Sequence, residues 1–398
     1  MNKTVSGEKK NANTKAGQGY RVGILGVPTW NKLQMNEGLV KTLPAHPENV
    51  ETSFQGLPNG VAHFTISSAQ AETYIKNHAP SQPAELIVAG KTPIHHPQAF
   101  ATGLGKEFAD YAKEASGEDI THLVSVEKDT RISDPILWGI RCENGGESIT
   151  RQLIHVKENA EIVLIMTAES PLSAKGFSGI STRIILEKGA NMILVRAQML
   201  GKGFQVMDDI GASLEEDARL KVVHMELGGR EVFTGVHAEL IGKRARFENR
   251  AGYLAERDSS FDMTVNVIHR GKESESEIAY DGVLKDRARK ILRDTIDFRS
   301  GAGKAKGDEQ ENVLLLSDDV ENKSMPVILC EEEDMEGRHG ATIGRLDEDM
   351  LFYLTTRGID PEEAARMMVR ARLQAVARHI PDHATEARIY NYIDGHAG

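Results

Sequence analysis

The chain has 398 residues, a length that accommodates two or three domains or one long solenoid. Its 59 acidic and 48 basic residues give a net charge of −11, which argues against a general nucleic-acid-binding protein, and its longest purely apolar run, at 162–166, is far shorter than a membrane-spanning helix of about 20 residues. The two cysteines, Cys142 and Cys330, are too few for a disulfide framework or a four-thiolate metal site and favour a cytoplasmic protein.

The first third of the sequence predicts a polar tail followed by a small α/β region. Residues 1–19 are rich in Gly, Lys and Asn and nearly devoid of apolar residues, which predicts a disordered tail. Within 20–120 we expect a short helix over 69–77 and an amphipathic helix whose apolar residues fall between 100 and 115 at helical spacing.

The character of the sequence changes near residue 120. From there to about 345, short β-branched runs follow one another, each bounded by Gly, Asp, Asn or charged residues. The intervals between these runs are too short for crossover helices, which argues against a doubly wound sheet.

A weak repeat runs through the same region. Turn-like clusters with a polar-polar-Ala-polar pattern centre on Ala160, Ala190, Ala218, Ala245 and Ala288. The first three steps are 27 to 30 residues, and we interpret the last step, of 43, as two coils of about 21–22. Recurrent small residues at corners predict a β-solenoid, with a β-sandwich and coincidental turns as the alternative.

Helices are predicted over 346–398. The first ends at Gly358, a typical C-terminal cap, and Asp360 caps a second helix that runs to about Arg378. A third helix is expected around 383–393. The apolar face of the second helix is predicted at Ala364, Met368, Ala371 and Ala375, with Ala365, Val369, Leu373 and Val376 beside it.

Motifs for common catalytic sites are absent or incomplete. The run from Gly301 to Lys304 fails the P-loop spacing, so we expect this chain to bind no nucleotide. Neither G-x-S-x-G nor H-E-x-x-H occurs. The pairs Asp208–Asp209 and Asp318–Asp319 are interpreted as solvated turns, and His269 as a surface residue. None of these patterns therefore predicts a catalytic site.

A thiol and an imidazole lie close together near the end of the β-rich region. Cys330 ends a short strand-like run, and His339 follows nine residues later, which is enough for a turn and a returning strand. Thiolate and imidazole both bind iron or zinc. The alternative is a cysteine that packs as a small apolar residue.

Two runs near these residues resemble the SufB/SufD family, the scaffold subunits of the SUF machinery for iron–sulfur cluster assembly. They are HGATIGRLD, from His339 to Asp347, and LFYLTTRGI, from Leu351 to Ile359. Weaker similarity extends over roughly 20 to 380, including the strand that leads to His269.

The resemblance implies a mostly β fold, with a right-handed parallel β-helix core between a small N-terminal α/β region and a C-terminal helical domain. The corresponding divisions are 1–19, 20–120, 121–345 and 346–398. It also implies a non-catalytic scaffold that pairs with another chain through its β-helix edge. The C-terminal helices would dock a SufC-type ABC ATPase, and we expect the contact residues to be Phe352, Tyr353, Arg357, Gly358, Met367 and Met368.

The resemblance further implies a transient iron–sulfur cluster at the chain–chain interface, with sulfur arriving indirectly from a cysteine desulfurase. Gly340 after His339 is SufD-like, whereas Cys330 occupies the position of the SufB cluster-assembly cysteine. We therefore expect a SufD-like chain in which Cys330 and His339 are metal ligands, paired with a SufB-type chain or an identical one. The alternatives are a purely structural partner that does not ligate iron and a β-helix carbohydrate-active enzyme.

Overall fold

The computed structural model describes residues 19–26, 35–48, 52–54, 57–80, 101–115, 120–345 and 348–396. Residues 1–18 of the predicted tail, 1–19, lie outside these residues.

Four short strands and two helices form the N-terminal region. They are β1 (Tyr20–Val22), β2 (Gly38–Val40), β3 (Thr52–Phe54), β4 (Val61–Ile66), α1 (Ser68–His78) and α2 (Lys106–Glu114). The helix predicted over 69–77 is confirmed as α1, which begins at a capping box between Ser67 and Gln70. The described part of the second prediction contains α2, which buries Phe108 and Tyr111.

Sixteen further strands build a parallel β-solenoid of about eight turns, as the sequence predicted. They are β5 (Thr121–Val126), β6 (Ile136–Arg141), β7 (Glu147–Val156), β8 (Glu161–Glu169), β9 (Lys175–Leu186), β10 (Asn191–Met199), β11 (Gly203–Leu214), β12 (Arg219–Glu226), β13 (Glu231–Leu240), β14 (Arg246–Ala255), β15 (Ser260–His269), β16 (Glu275–Leu284), β17 (Arg289–Phe298), β18 (Ala305–Leu315), β19 (Glu321–Cys330) and β20 (Met335–Arg345). Successive strands alternate between two sheets. Sheet I contains the even-numbered strands from β6 to β20, and sheet II the odd-numbered strands from β5 to β19.

The register corrects the predicted coil length. Residues paired along sheet I are 27 to 31 positions apart, as Asn191 pairs with Arg219 and Glu275 with Lys306. One coil therefore takes about 29 residues, and the interpretation of the 43-residue step as two coils was wrong. Ala245 precedes a strand of sheet I, whereas Ala288 precedes a strand of sheet II, so the step between them is one and a half coils.

The interior between the sheets is apolar for most of its length but contains ion pairs. Arg196 and Asp208 form a buried ion pair, in which the guanidinium donates two hydrogen bonds to the carboxylate, at 2.8 and 3.1 Å. Asp208 and Asp209 lie in β11 on opposite faces and are both buried, so their prediction as a solvated turn was wrong. Asp318 and Asp319 do lie exposed in a turn.

His269 is also buried, contrary to the prediction of a surface position. Its Nδ1 lies 2.8 Å from the Ser274 hydroxyl and its Nε2 lies 2.9 Å from the Ser276 hydroxyl. Burial lowers the pKa of His269 to about 3, so the ring is neutral. Two local hydroxyls thus satisfy both ring nitrogens at the corner between β15 and β16.

Apart from β3 and β4, which pair with β6 and β5, the N-terminal region packs on the outer face of sheet II. Gly103 approaches the backbone of Gly235 so closely that a Cβ there would lie 2.0 Å from a main-chain atom. Asp209 accepts a hydrogen bond from the Leu104 amide at 2.7 Å. Farther along the sheet, Arg293 donates to the Met35 carbonyl at 2.7 Å.

The C-terminal helices are α3 (Glu348–Thr356), α4 (Pro361–Ala377) and α5 (His383–His396). The predicted caps are confirmed, because Asp360 accepts from the Glu363 amide at 2.9 Å and Gly358 adopts a φ of +86°. Helices α4 and α5 pack on the outer face of sheet I. The buried face of α4 contains Ala364, Val369, Leu373, Val376 and Ala377. It thus includes Ala364 and the predicted flanking residues Val369, Leu373 and Val376, whereas Ala371 of the predicted face is exposed.

Candidate functional site

The solenoid ends in an exposed rung formed by β19 and β20, the last strands of sheets II and I. Each of these strands has a parallel neighbour on one side. Strand β20 is exposed along most of its length, and no described element covers its outer edge. We call the surface formed by β19 and β20 the terminal rung; it contains both predicted metal ligands.

Cys330 is the last residue of β19 and pairs in register with Phe298 of the preceding turn. Ile328 packs against the solenoid core, so the alternation of side chains directs Cys330 to the same face. The Cys330 side chain is nevertheless exposed, because no further turn lies above it among the described residues. Partial burial raises the pKa of the Cys330 thiol, and the nearby Asp297 carboxylate adds to this effect.

His339 lies in β20 beside Glu309 of the preceding turn and is exposed. Gly337, two residues earlier, faces the interior, because a Cβ there would contact Ile328 and Phe298. The alternation along β20 gives His339 the same inward direction. In each sheet, inward-facing side chains stack in columns from one turn to the next. Cys330 is the exposed end of one such column in sheet II, and His339 is the exposed end of another in sheet I.

The two donors are not a preformed pair of ligands for one ion. Asp294 and Glu309 interact across the core one turn earlier, which on the terminal rung corresponds to Pro326 and His339. Pro326 precedes Cys330 by four residues, or about 13 Å along the strand. Metal–ligand bonds to nitrogen and sulfur are about 2.0–2.3 Å long. Within the described parts of the chain, no three His, Cys, Asp or Glu side chains are grouped closely enough to hold a metal ion.

A buried polar layer lies directly beneath the terminal rung, and the sequence analysis missed it. Lys290 is ion-paired with Glu311, which also accepts a hydrogen bond from the Ser324 hydroxyl at 2.5 Å. Burial raises the pKa values of Asp294 and Glu309; the Glu309 carboxylate raises that of Asp294 further, and the Glu311 carboxylate adds to the rise at Glu309. The available signal was the alternation of polar residues in β17 and β18, which in a solenoid places every second one in the interior.

Of the residues predicted to contact an ATPase, Phe352 and Tyr353 lie on α3, Arg357 and Gly358 follow it directly, and Met367 and Met368 lie on α4. Phe352 is 71% exposed and Tyr353 is 52% exposed, and the Arg357 guanidinium lies 5.1 Å from the centre of the Tyr353 ring. Met367 of α4 is 46% exposed. Met368 differs, because it is half-buried against the cluster that joins α4 to sheet I. We call Phe352 and Tyr353 of α3, together with the neighbouring Met367 of α4, the α3 surface.

The geometry defines a parallel β-solenoid protein whose terminal rung presents a thiol and an imidazole. The family model described as "SUF system FeS cluster assembly, SufBD core domain" matches residues 140–372, which is more than half of the chain. The chain therefore belongs to the SufBD family.

Three relatives illustrate the range of similarity. The chain is 27% identical to the iron–sulfur cluster assembly protein SufD of Bacillus subtilis over 184 residues, which cover 46% of this chain and 42% of the relative. It is 22% identical to SufD of Escherichia coli over 302 residues, covering 73% and 70% of the two chains. It is also 22% identical to a SufBD family protein of Staphylococcus epidermidis, covering 66% and 57%. The match thus spans less than two thirds of the first and third of these relatives.

The helices lie on the surface of the solenoid. In the described part of the chain, no helix is both long and apolar enough to cross a membrane.

Proposed function

We propose that this chain is a scaffold subunit for iron–sulfur cluster assembly, in which Cys330 and His339 supply part of the ligand set of a nascent cluster. The observation that carries the proposal is the position of both donors on the exposed terminal rung. Membership of the SufBD family and the names of the relatives support the same role.

A second chain completes the site in this proposal. The two donors belong to opposite sheets and are too far apart to hold one ion, so further ligands must come from across an interface. A cluster held by an incomplete set of thiolates is easier to transfer than one with full thiolate ligation. The iron and sulfide are cargo here, delivered to the interface and passed on.

The strand edge of β20 is the proposed pairing surface. An unpaired edge offers a row of backbone donors and acceptors to another strand. Pro326 removes one donor from β19, whereas β20 contains no proline. We therefore propose that sheet I, through β20, makes the main contact with a SufB-type chain or a second copy of this chain. Co-purification from the native host, with subunit stoichiometry measured, distinguishes the two partners.

The α3 surface is the proposed docking site for a SufC-type ABC ATPase. Phe352 and Tyr353 expose more than half of their side chains, and Met367 lies on the next helix. Aromatic residues and methionines are enriched where proteins bind one another. In this scheme the nucleotide binds to the ATPase, and sulfur reaches the interface from a cysteine desulfurase through the partner chain.

The test is anaerobic cluster reconstitution of the purified complex with the Cys330→Ala/His339→Ala double variant. Loss of iron and sulfide uptake with an unchanged fold is expected. A matched control is Cys142→Ala combined with His383→Ala, because Cys142 is a buried thiol far along the chain and His383 is an exposed imidazole on α5. Equal iron and sulfide uptake in the double variant and the control would exclude Cys330 and His339 as ligands.

The same experiment separates the scaffold role from that of a purely structural partner. If loading is insensitive to both substitutions but is lost when this subunit is omitted, the chain only stabilises its partner. The carbohydrate-active alternative finds little support, because the adjacent acids Asp208 and Asp209 are engaged in a buried ion pair and a backbone hydrogen bond.

A further inference from the structure

Two imidazoles face each other at the N-terminal end of the solenoid interior. His63 of β4 lies opposite Val124 of β5, and Val124 packs in the core, so His63 also points inward. His122 precedes Val124 by two residues and shares its face of β5. The His63 Nε2 lies 3.0 Å from the His122 Nδ1. Both rings are half-buried, because β4 is the last described strand at this end of sheet II.

The two rings meet edge to edge, nitrogen to nitrogen. Their planes differ by only 14°, and their centres are 5.2 Å apart, whereas the facing nitrogens are 3.0 Å apart. The difference is about the sum of two ring radii, so the line that joins the nitrogens runs close to both ring planes. The lone pair of one facing nitrogen is therefore directed at the other, and the two nitrogens define a short axis with a single hydrogen bond on it.

Aromatic rings flank this pair. The ring centre of Phe54 lies 4.5 Å from that of His63, and the ring centre of Trp138 lies 5.3 Å from that of His122. The faces of such rings attract cations. Among the residues that the structure describes, neither imidazole has a carboxylate as a hydrogen-bond partner. Burial lowers the pKa of His63, and burial with the neighbouring His63 and Arg151 lowers that of His122 to about 4, so both rings are neutral.

These features select the charge and the coordination number of an ion. Two neutral ligands without a counter-charge in a half-buried site favour a monovalent ion, because removing a divalent ion from water costs more. Zinc takes four ligands, and calcium and magnesium take six or more, mainly oxygens. Copper binds imidazole well, and its monovalent form accepts two ligands in a line.

The distance between the nitrogens is close to what such an ion requires. Metal–nitrogen bonds of about 2.0 Å in a line place the two nitrogens about 4 Å apart, roughly 1 Å more than the rings show without an ion. Strand β4 has a described partner on one side alone, so His63 can move outward by this amount without breaking a second strand pairing.

We propose that His63 and His122 form a two-coordinate site for Cu(I), flanked by Phe54 and Trp138. The ring that donates the hydrogen bond between the imidazoles moves its proton to its other nitrogen. Both facing nitrogens then bind the ion, and no net proton is released. The bound ion joins β4 to β5 at the end of the solenoid opposite the terminal rung, so the site is independent of the proposed cluster assembly.

The test is anaerobic titration of the full chain with Cu(I), in competition with a coloured Cu(I) chelator. The background is Cys330→Ala, because the exposed Cys330 thiol also binds Cu(I). We expect one Cu(I) per chain in this background. The affinity should fall by about a hundredfold or more in His63→Gln and in His122→Gln, since each variant removes one of the two ligands.

The matched control is His78→Gln, because His78 also lies beside another imidazole. Its ring centre is 5.2 Å from that of His155, but its Nδ1 lies 2.8 Å from the Tyr74 carbonyl and does not face the other ring. The affinity for Cu(I) should therefore be unchanged in this variant. Equal affinities in His78→Gln and His63→Gln would overturn the proposal.

A second measurement reports the ligands directly and does not depend on how the Gln variants fold. With one equivalent of Cu(I) in the Cys330→Ala background, X-ray absorption at the copper edge should show two nitrogen ligands. The ring NMR signals of His63 and His122 should shift together, and those of His78 should not. Copper held only by sulfur, unshifted His63 and His122 signals, or equally tight binding of Zn²⁺ at these rings would each contradict the proposed site. Cluster loading does not enter these measurements, so their failure is distinguishable from failure of the proposed function.

Discussion

Asp209 provides a quantitative test of how the N-terminal region is held on the solenoid. Its carboxylate is fully buried under the segment 101–105, where one oxygen accepts the Leu104 amide at 2.7 Å. The other oxygen has no hydrogen bond of good geometry from any described residue, although the Thr102 hydroxyl lies near the carboxylate. Burial raises the pKa of Asp209 from 3.8 to about 7, and the Leu104 amide and the Thr102 hydroxyl oppose this only in part.

The sign and size of the effect follow from linkage. Because the folded-state pKa lies above the unfolded value, folding takes up a proton between about pH 4 and 7, and stability falls as the pH rises through this window. The full penalty above pH 7 is roughly 4 kcal/mol, of which roughly 2 kcal/mol develops between pH 5 and 7. Asp209→Asn removes this dependence and keeps the acceptor for Leu104. Its unpaired amide costs about 1–3 kcal/mol at every pH.

The expected result is a crossing of two stability curves. Urea unfolding followed by circular dichroism should show that the free energy of unfolding of the wild type declines more steeply between pH 5 and 7 than that of Asp209→Asn. The variant should be more stable by about 1–3 kcal/mol at pH 8, and the two should converge near pH 5. Asp319→Asn, at an exposed turn, is the control and should follow the wild type. Parallel curves for the wild type and Asp209→Asn would refute the burial argument.

Two further substitutions test the polar core and the attachment of the N-terminal region. Lys290→Met leaves Glu311 buried without its cation, so urea unfolding should show a loss of about 3–5 kcal/mol, much of which Lys290→Met/Glu311→Leu should recover. Gly103→Ala places a Cβ against the Gly235 backbone, so limited proteolysis should cut the segment 101–115 severalfold faster than in the wild type, whereas Gly303→Ala, which has open space around its Cα, should not change the pattern.

The sequence predicted the architecture well where one pattern recurs. Ala160, Ala190 and Ala218 mark successive corners, and each is completely buried at the turn before a strand of sheet I. The helix caps at Asp360 and Gly358 were also predictable, because capping is determined within a few residues. Ala288 misled the prediction, because a solenoid with two corners per coil repeats its turn chemistry twice and residue types alone do not distinguish the corners.

The buried polar residues were not predictable from local sequence. Asp208 is solvated or buried depending on its partner, and its partner Arg196 lies across the core, on the preceding strand, which belongs to the other sheet. Lys290 and Glu311 are likewise 21 residues apart in the chain and meet across the core. His269 is different, because Ser274 and Ser276 follow it closely. A strand end followed by two alternating serines could have indicated a satisfied, buried imidazole.

For the candidate site, the short distance in sequence between Cys330 and His339 predicted that both lie on one rung, but not how far apart they are on it. A turn and a returning strand do place Cys330 and His339 on one rung. The two strands belong to different sheets, however, and the position of His339 is set by its pairing with Glu309 of the preceding coil. The distance between the two donors therefore depends on how all the turns of the solenoid are aligned. That alignment cannot be read from the short segment that contains Cys330 and His339.

The two ends of the solenoid differ in a way that bears on the proposed pairing. At the N-terminal end, the antiparallel strands β3 and β4 close the sheets, and the rings of Phe54 and His63 pack against the core tryptophan Trp138, with ring centres 4.3 and 6.3 Å from it. At the other end, the inward-facing columns stop at Cys330 and His339, with no comparable cap among the described elements. Solenoids need a capped end for solubility, because an open rung exposes both core and strand edges. A polar layer beneath the open rung reduces this exposure without satisfying the edge of β20, so the terminal rung has the properties of a surface that is completed by another chain.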